Sequence, residues 1–496
     1  MKLSELLSVA PEKKVTGDQD PEINGVVYDP LRVKPGFLYA AINIYTQLDK
    51  IELPDGHPFV DDAIRAGACA VLLQNDKPVP SHIVKIVVPD SRLALALIAG
   101  KFYNHPSRRF KLIGITGTNG KTTTTHIVES ILLTRYRMGL IGTLYYKINN
   151  KIYKSKDTTP EPPDLQEIYA HMANEKCDYC AMEVSSHAVD FHRVAGIEYE
   201  AGIWTNLTQD HLDFHLTMDN YRNAKIQWIS SLAKDKTVGI NIDDPSANLF
   251  LNALRAKPIL YGLKGKSDVT AKNIHLGNDG TDFTLATPKG EIDVHARLRG
   301  EFNLYNMLAA VTGALHTPLS LEEIKAGLEK NIAVAGRFQP VERGQDFTVL
   351  VDYAHTPDGL TKVLNAARTM KPERLITVFG CGGDRDRTKR PIMASIVEEM
   401  SDNFIITDDN PRTEDPDQIM NDIIQGIKEK KGGKYEIIHD RYEAIKHAIT
   451  TAKSGDLILI AGKGHESTQT LKDTTLHFND FEVADEILLE MKRGKA

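Results

Sequence analysis

The sequence predicts an α/β protein of three domains, two of them doubly wound around mainly parallel sheets. Length is the first observation, since 496 residues hold about three domains at roughly 150 residues each. The second is a recurring order after Phe110: a short apolar run, a polar loop, then an amphipathic segment. Short buried strands alternating with helices imply a parallel sheet covered on both faces. The third is that Gly-rich polar segments fall at the carboxyl ends of those runs, where open parallel sheets bind their ligands.

The opening MKLSELLSVAPEKK reads as one amphipathic helix, interrupted too early by Glu5 and Ser8 to be a signal peptide. Up to about residue 100, GVVYD, GFLYAAI, CAVLLQ and IVKIVVP predict short strands, with FVDDAIRAGA as a helix among them. NHPSRR, from Asn104 to Arg109, reads as a linker, because proline and a charge pair break any periodicity. KLIGIT, MGLIGT, YCAMEV, AGIWTNL and TVGINI predict the central sheet. Near 270–297, NIHL, DFTLA and EIDVHARL with an Asn-Asp-Gly turn predict an antiparallel appendage, and two helices close the unit. After Gly336 the alternation resumes with TVLVDYA, RLITVFG, NFIITDD, YEIIHD and LILIAG, and a helix from Phe481 to Lys492 ends it. The expected domains are 1–106, 107–335 and 336–496.

Composition narrows the function. With 60 basic and 67 acidic residues the formal charge is −7, which argues against a general nucleic-acid binder needing a basic face. No apolar run approaches the roughly 20 residues that cross a bilayer, so no membrane partner is expected. Four cysteines in so long a chain make no disulfide framework. Cys177 and Cys180 form one C-x-x-C with no second pair, and core packing is the expectation for them. A cytoplasmic protein acting on small molecules follows.

The polar segments of the central unit are TGTNGKTT, EVSSHA, TNLTQDHLDFH and NIDD; those of the last are DYAHTPD, GCGGDRDRTKR, DDNPR and AGKGHE. Two such crevices facing one another would make one shared site. TGTNGKTT follows a strand and opens a helix: Gly117 and Gly120 let backbone N–H groups close on phosphate, Lys121 reaches the terminal phosphates, and the Thr122 hydroxyl suits magnesium. Ile115 replaces the first glycine of the strict phosphate-loop pattern. Glu183 ends its strand where a carboxylate could serve Mg²⁺. His211 and His215 have a zinc-like spacing, but HLDFH offers no third ligand, and a structural or magnesium-linked role is expected for His211. By spacing alone Lys225 is an ordinary surface lysine. Arg385, Arg387, Lys389 and Arg390, followed by Asp409-Asn410-Pro411-Arg412, either grip a carboxylate or phosphate through forked hydrogen bonds, or form a solvated loop paired with Asp384 and Asp386.

Together these motifs, with GEFNLYN and GRF in the same order, resemble the Mur ligases, strongly over about 108–496 and weakly before. The nearest likeness is to the branch that adds the third amino acid to UDP-N-acetylmuramoyl-L-alanyl-D-glutamate. The resemblance implies an N-terminal domain for the uridine nucleotide, a central phosphate-loop ATPase and a C-terminal Rossmann-like amino-acid domain. It implies ATP and Mg²⁺ as cofactors, UDP-muramoyl dipeptide and meso-diaminopimelate as substrates, an acyl-phosphate route to the amide, and a monomer. On this likeness Gly117, Thr118, Asn119, Gly120, Lys121, Thr122 and Thr123 hold the ATP phosphates. Thr122, Glu183, His211 and a carbamylated Lys225 serve magnesium. Asn303 and Asn306 lie near adenine, Arg337 near the γ-phosphate and Asp352 near the ribose. Thr158, Thr159, Ser185 and Arg193 meet the muramoyl peptide. Arg385, Asp409, Asn410, Pro411, Arg412, Gly462 and Glu466 hold diaminopimelate.

Departures gather at the nucleotide-sugar end. The family usually has Asp-Ser-Arg where this chain has Asp29-Pro30-Leu31, and Asn where it has Asp157; Tyr45 to Pro54 resembles an insertion. A Mur paralogue with a modified acceptor, a folylpolyglutamate-synthetase-like enzyme and a non-catalytic nucleotide-binding protein are the alternative readings.

Overall fold

The computed structural model describes residues 1–42, 55–277, 279–330, 332, 334–428, 434–472 and 474–494. The suspected insertion from Tyr45 to Pro54 and the Asn278 of the expected turn lie outside the described residues.

The N-terminal sheet contains β1 (Lys14–Thr16), β2 (Gly25–Val27), β3 (Phe37–Ala40), β4 (Ala68–Leu73) and β5 (Val84–Val87), in the order β1-β5-β4-β3-β2. Only the β1–β5 pair is antiparallel. The expected first helix is shorter than its pattern, running Leu3–Leu6 with a 3₁₀ turn to Val9. Ala10, at φ −79° and ψ 117°, precedes Pro11, and a residue before proline is driven out of the helical region. The supposed linker is folded: Pro106–Arg109 is a 3₁₀ turn with Pro106 and Ser107 buried, and Arg109 Nη2 donates to Ala173 O at 3.4 Å.

The central sheet runs β13-β12-β11-β6-β10-β7-β8-β9. Its strands are β6 (Lys111–Thr116), β7 (Met138–Ile141), β8 (Tyr145–Ile148), β9 (Lys151–Lys154), β10 (Tyr179–Glu183), β11 (Ala201–Trp204), β12 (Thr237–Asn241) and β13 (Lys257–Tyr261). From β13 to β7 all pairs are parallel, and β8 and β9 extend the edge antiparallel. Helices Lys121–Leu132 and Glu301–Ala314 cover one face through Ile127, Val128, Leu308 and Val311. Helices Pro162–Asn174 and Met218–Ser230 cover the other through Leu165, Tyr169, Met172 and Trp228. Cys177 and Cys180 are free and buried in this second core. The appendage is a three-stranded antiparallel sheet of β14 (Thr270–Leu276), β15 (Thr281–Thr287) and β16 (Gly290–Ala296).

The C-terminal sheet has the order β17-β18-β22-β19-β20-β21, from β17 (Gln339–Pro340), β18 (Thr348–Asp352), β19 (Leu375–Phe379), β20 (Asn403–Ile406), β21 (Tyr435–Ile437) and β22 (Leu457–Ala461). All its pairs are parallel except β17–β18. An unforeseen hairpin, β23 (Thr468–Leu471) and β24 (Thr474–His477), follows. Segments after β6, β10, β11, β12 and β18 line a common cavity of about 910 Å³. Among the described residues no helix is long and apolar enough to cross a membrane.

Candidate active site

The loop between β6 and its helix is set by two glycines. Gly117 sits at φ +149°, and a Cβ there would fall 1.9 Å from Thr205 Oγ1; Gly120 sits at φ +86°, where a Cβ would fall 2.3 Å from Asn306 Oδ1. Thr118 N donates to Asn206 O at 3.0 Å and Asn119 N to Asn206 Oδ1 at 2.9 Å, pinning the loop to the segment after β11. Lys121 folds back, donating to Gly117 O and Thr118 O at 2.9 Å each. Burial pulls its pKa down, against Glu183 and Asp210. A helix N-terminus with an ammonium curled beneath it forms a cradle for an anion. Thr122 and Thr123 start that helix inside the cavity.

Glu183, buried at the end of β10, accepts from Thr122 Oγ1 at 3.0 Å, Thr143 N at 2.8 Å and Thr143 Oγ1 at 3.1 Å. This donor set of one carboxylate and two hydroxyls fits Mg²⁺, which takes oxygen ligands and completes its shell with phosphate and water. Among the described residues no group of three His, Cys, Asp or Glu forms a metal cage.

His211 stands at φ +54°, with Nε2 3.3 Å from Asp210 Oδ2. Burial lowers its pKa to about 3, opposed by Asp210 and aided by Lys121 and Lys225. Asp210 is the reverse case: burial would raise it, but His211, His355, Lys389 and Lys121 hold it far below the ordinary carboxylate range. His215 turns away, 2.9 Å from Ser186 Oγ and 3.2 Å from Asp190 Oδ2 in the interior. Lys225 corrects its reading as a surface residue. It is 1% exposed, its Nζ donates to Gly117 O at 3.0 Å, and the amine lies 4.3 Å from the Tyr221 ring centroid. Helix Met218–Ser230 turns that face inward, and burial with Lys121 nearby drives the amine well below its usual pKa.

The C-terminal unit closes over this cradle. Arg337 Nη2 donates to Thr122 Oγ1 at 3.3 Å, and Asn119 Nδ2 donates to Asp358 Oδ2 at 2.7 Å. Asn306 lines the cavity, while Asn303 lies behind it and accepts from Asn306 Nδ2 at 3.1 Å. Asp352 also lines the cavity, with both carboxylate oxygens engaged by backbone, Phe338 N at 2.6 Å and Ala354 N at 2.7 Å. Burial raises its pKa to about 6 against the pull of Arg337.

Thr158, Thr159, Ser185 and Arg193 share one wall of the cavity. Thr158 Oγ1 is 3.0 Å from Thr143 Oγ1, Thr159 Oγ1 donates to Glu183 O at 2.8 Å, and Ser185 N donates to Thr159 Oγ1 at 3.2 Å. This wall is therefore bonded to the Glu183 end of the site.

The cationic loop divides. Arg390 is 0% exposed and tied to Glu414 and Asp422, each at 2.8 Å, and Arg387 pairs with the same Asp422 at 2.9 Å. Both are structural. Arg385 alone of the four lines the cavity, 3.9 Å from Asp213. Arg412 borders the same glycine: a Cβ at Gly382 would lie 3.0 Å from Arg412 Nη1 and 3.8 Å from Arg385 Cγ. Pro411 packs against Gly383, and a Cβ at Gly462 would fall 2.8 Å from Asp409 Oδ2. Asn410 Nδ2 donates to Glu466 Oε2 at 2.8 Å, and buried Lys463 donates to both side chains.

A model of the Mur ligase middle domain matches residues 115–314, and one of the Mur ligase glutamate ligase domain matches 336–464. The UDP-N-acetylmuramoyl-L-alanyl-D-glutamate–2,6-diaminopimelate ligase of Syntrophomonas wolfei is 43% identical over 498 residues, covering 100% of each chain. The chain belongs to the Mur ligase family. The like-named protein of Bacillus licheniformis is 42% identical over 99% of this chain and 100% of its own. A solved structure of a UDP-N-acetylmuramoyl-L-alanyl-D-glutamate–2,6-diaminopimelate ligase aligns with TM-score 0.67 and 31% identity, over 99% of this chain and 100% of that one. The folylpolyglutamate synthase of Mycobacterium tuberculosis, at 17% identity and TM-score 0.60 over 75% of this chain and 92% of its own, shares the fold.

Several residues of this Mur ligase site are not singled out one by one in the sequence, although Asn206 and Asp210 lie in TNLTQDHLDFH, Asp358 in DYAHTPD and Thr143 in MGLIGT. Thr143, Asn206, Asp210, Tyr221 and Asp358 line the cavity. Thr143 follows the MGLIG run at a strand end, the one place where topology alone could have marked it.

Proposed function

We propose that this Mur ligase joins meso-diaminopimelate to UDP-N-acetylmuramoyl-L-alanyl-D-glutamate at the expense of ATP, as a cytoplasmic monomer making peptidoglycan precursor. The observation that carries the reading is the shared cavity: Lys121, Glu183, Lys225, Arg193, Arg337 and Arg385 all line it. In this reading residues 1–106 receive the uridine nucleotide, 107–335 the ATP and 336–496 the amino acid.

A carboxylate oxygen of the acceptor attacks the γ-phosphorus of ATP, and the P–O bond to ADP breaks, leaving an acyl phosphate. The diaminopimelate amine attacks the acyl carbon, loses a proton, and expels phosphate as the amide forms. Little covalent work falls to the protein; positioning and charge stabilisation dominate. Lys121, the Gly117–Thr123 loop and Arg337 hold the phosphates, Asn306 and Asp352 the nucleoside, and Thr158, Thr159, Ser185 and Arg193 the acceptor. Thr122, Glu183 and His211, with Lys225 as its carbamate, would hold Mg²⁺, which neutralises phosphate charge when bound. Arg385 and Arg412 take the diaminopimelate carboxylates, with Asp409, Asn410, Gly462 and Glu466 around the distal end. Lysine lacks one of those carboxylates and would leave a guanidinium unpaired.

ATP turnover measured over a matrix of acceptors and amino acids tests this. Phosphate release should require both UDP-muramoyl dipeptide and meso-diaminopimelate; equal rates with L-lysine would overturn it. A second reading, a Mur ligase for a modified carrier, draws on the turn at Asp29. Pro30 opens a 3₁₀ turn, Asp29 Oδ1 accepts from Leu31 N at 2.9 Å, and Leu31 is 93% exposed. That turn offers no hydroxyl to a nucleotide. Acceptors with and without UDP separate the two.

A further inference from the structure

Behind the wall that carries Thr158 and Thr159, charged side chains from two domains meet around one ring. Arg92, on the N-terminal helix Ser91–Phe102, is buried, with Nη1 3.1 Å from Glu161 Oε2 and 3.4 Å from both Glu161 Oε1 and Phe191 O. Glu161 is buried as well, and its Oε1 lies 2.7 Å from Arg193 Nη2. Arg193 Nη1 donates to Thr159 O at 2.8 Å and stands 3.7 Å from Asp157 Oδ1. Both guanidiniums flank Phe191, at 4.5 and 5.5 Å from its ring centroid. Asp157, Phe191 and Arg193 line the cavity, while Arg92 and Glu161 stand behind its wall.

Charge decides what this cluster can do. Arg193 faces two carboxylates, Glu161 and Asp157, so without Arg92 the group would be net negative beside the acceptor wall. A buried carboxylate served by one guanidinium alone would also hold that guanidinium tightly. Arg92 offsets one of these two negative charges and takes a share of Glu161.

We propose that Arg92 is a positioning residue for the acceptor: by sharing Glu161 from the neighbouring domain, it leaves the Arg193 guanidinium able to grip an anionic chain lying along Thr158 and Thr159. This rests on the reading that the acceptor carboxylates lie on that wall. Docking of the N-terminal domain, which brings Arg92 in, thereby completes the acceptor site of the central one.

The test is steady-state kinetics of the full-length protein with each substrate varied in turn. Arg92→Gln should raise KM for the acceptor about tenfold, with KM for ATP and amino acid changing less than about twofold. Adding Asp157→Asn removes one negative charge facing Arg193 and should recover most of that loss, which no merely structural role of Arg92 predicts. Equal rises in all three KM values, or no recovery in the double variant, would overturn the proposal. Where Arg92→Gln melts below the assay temperature, the single Asp157→Asn variant, altered at a half-exposed loop residue, carries the test. It should lower acceptor KM about two- to threefold, and an unchanged or higher value overturns the proposal. A wild-type protein that uses another acceptor overturns the substrate reading alone, and the same KM ratios taken on that acceptor still test Arg92.

Discussion

Arg337, from the segment entering the C-terminal domain, places Nη2 3.3 Å from Thr122 Oγ1, on the first turn of the phosphate-loop helix. Its guanidinium carbon lies 4.5 Å from the Tyr353 ring centroid, so the side chain is braced before any ligand arrives. In the proposed reaction this cation stands against the site of phosphoryl transfer and stabilises the charge that grows there. Arg337→Ala should therefore lower kcat by about 10²- to 10³-fold with little change in KM for ATP. A kcat within threefold of wild type would remove Arg337 from the transfer step.

Lys225 is the residue whose burial most changes its chemistry. Burial of this amine, packed on Tyr221 and donating to Gly117 O, pushes its pKa below the usual lysine value and so toward the neutral form that reacts with carbon dioxide. Lys225→Ala should cripple turnover, and Lys225→Glu, which supplies a carboxylate at nearly the same reach, should restore part of it. Full activity of the alanine variant would exclude the carbamate.

What could be read in advance follows the range of the interactions. The Thr116–Thr123 loop and the Glu183 strand end are local patterns, and both fall where the sequence places them. Arg387 and Arg390 could not be told from ligand-binding arginines, because their partners Glu414 and Asp422 arrive from a helix and loop beyond the next strand. Lys225 looked exposed because helix Met218–Ser230 is polar in composition, and only its packing on Tyr221 and Gly117 shows which face turns inward. The N-terminal helix stops early for a local reason, Pro11, that its apolar spacing conceals.

Arg412 is held by its backbone as much as by its side chain. At φ +53° its N–H donates to Thr470 O at 3.1 Å and its carbonyl accepts from Lys472 N at 2.8 Å, so the β23 hairpin fixes where the guanidinium starts. Nη1 then donates to Gly383 O at 2.6 Å, leaving the remaining donors of the fork for a ligand. Arg412→Lys keeps the charge and loses the fork; KM for meso-diaminopimelate should rise about 10- to 100-fold while KM for ATP holds. Unchanged KM for the diamino acid would place its carboxylate elsewhere.

Two of the groups that make stability depend on pH pull in opposite directions. His316 is held at about 4, chiefly by burial, with Glu200 opposing and Lys111 and Lys236 adding. Between about 4 and 6.5 the unfolded chain binds more protons at this position, so its contribution is full above 6.5 and is lost as pH falls toward 4. Asp352, raised to about 6 by burial, has the other sign: from about 4 to 6 the folded chain binds more protons, and stability declines as pH rises. Each full proton is worth about 1.4 kcal/mol per pH unit at most. From about pH 4.5 to 6, melting temperature should therefore gain less with rising pH in His316→Phe than in wild type, and gain more in Asp352→Asn. Parallel profiles for all three proteins would show that neither group titrates differently on folding.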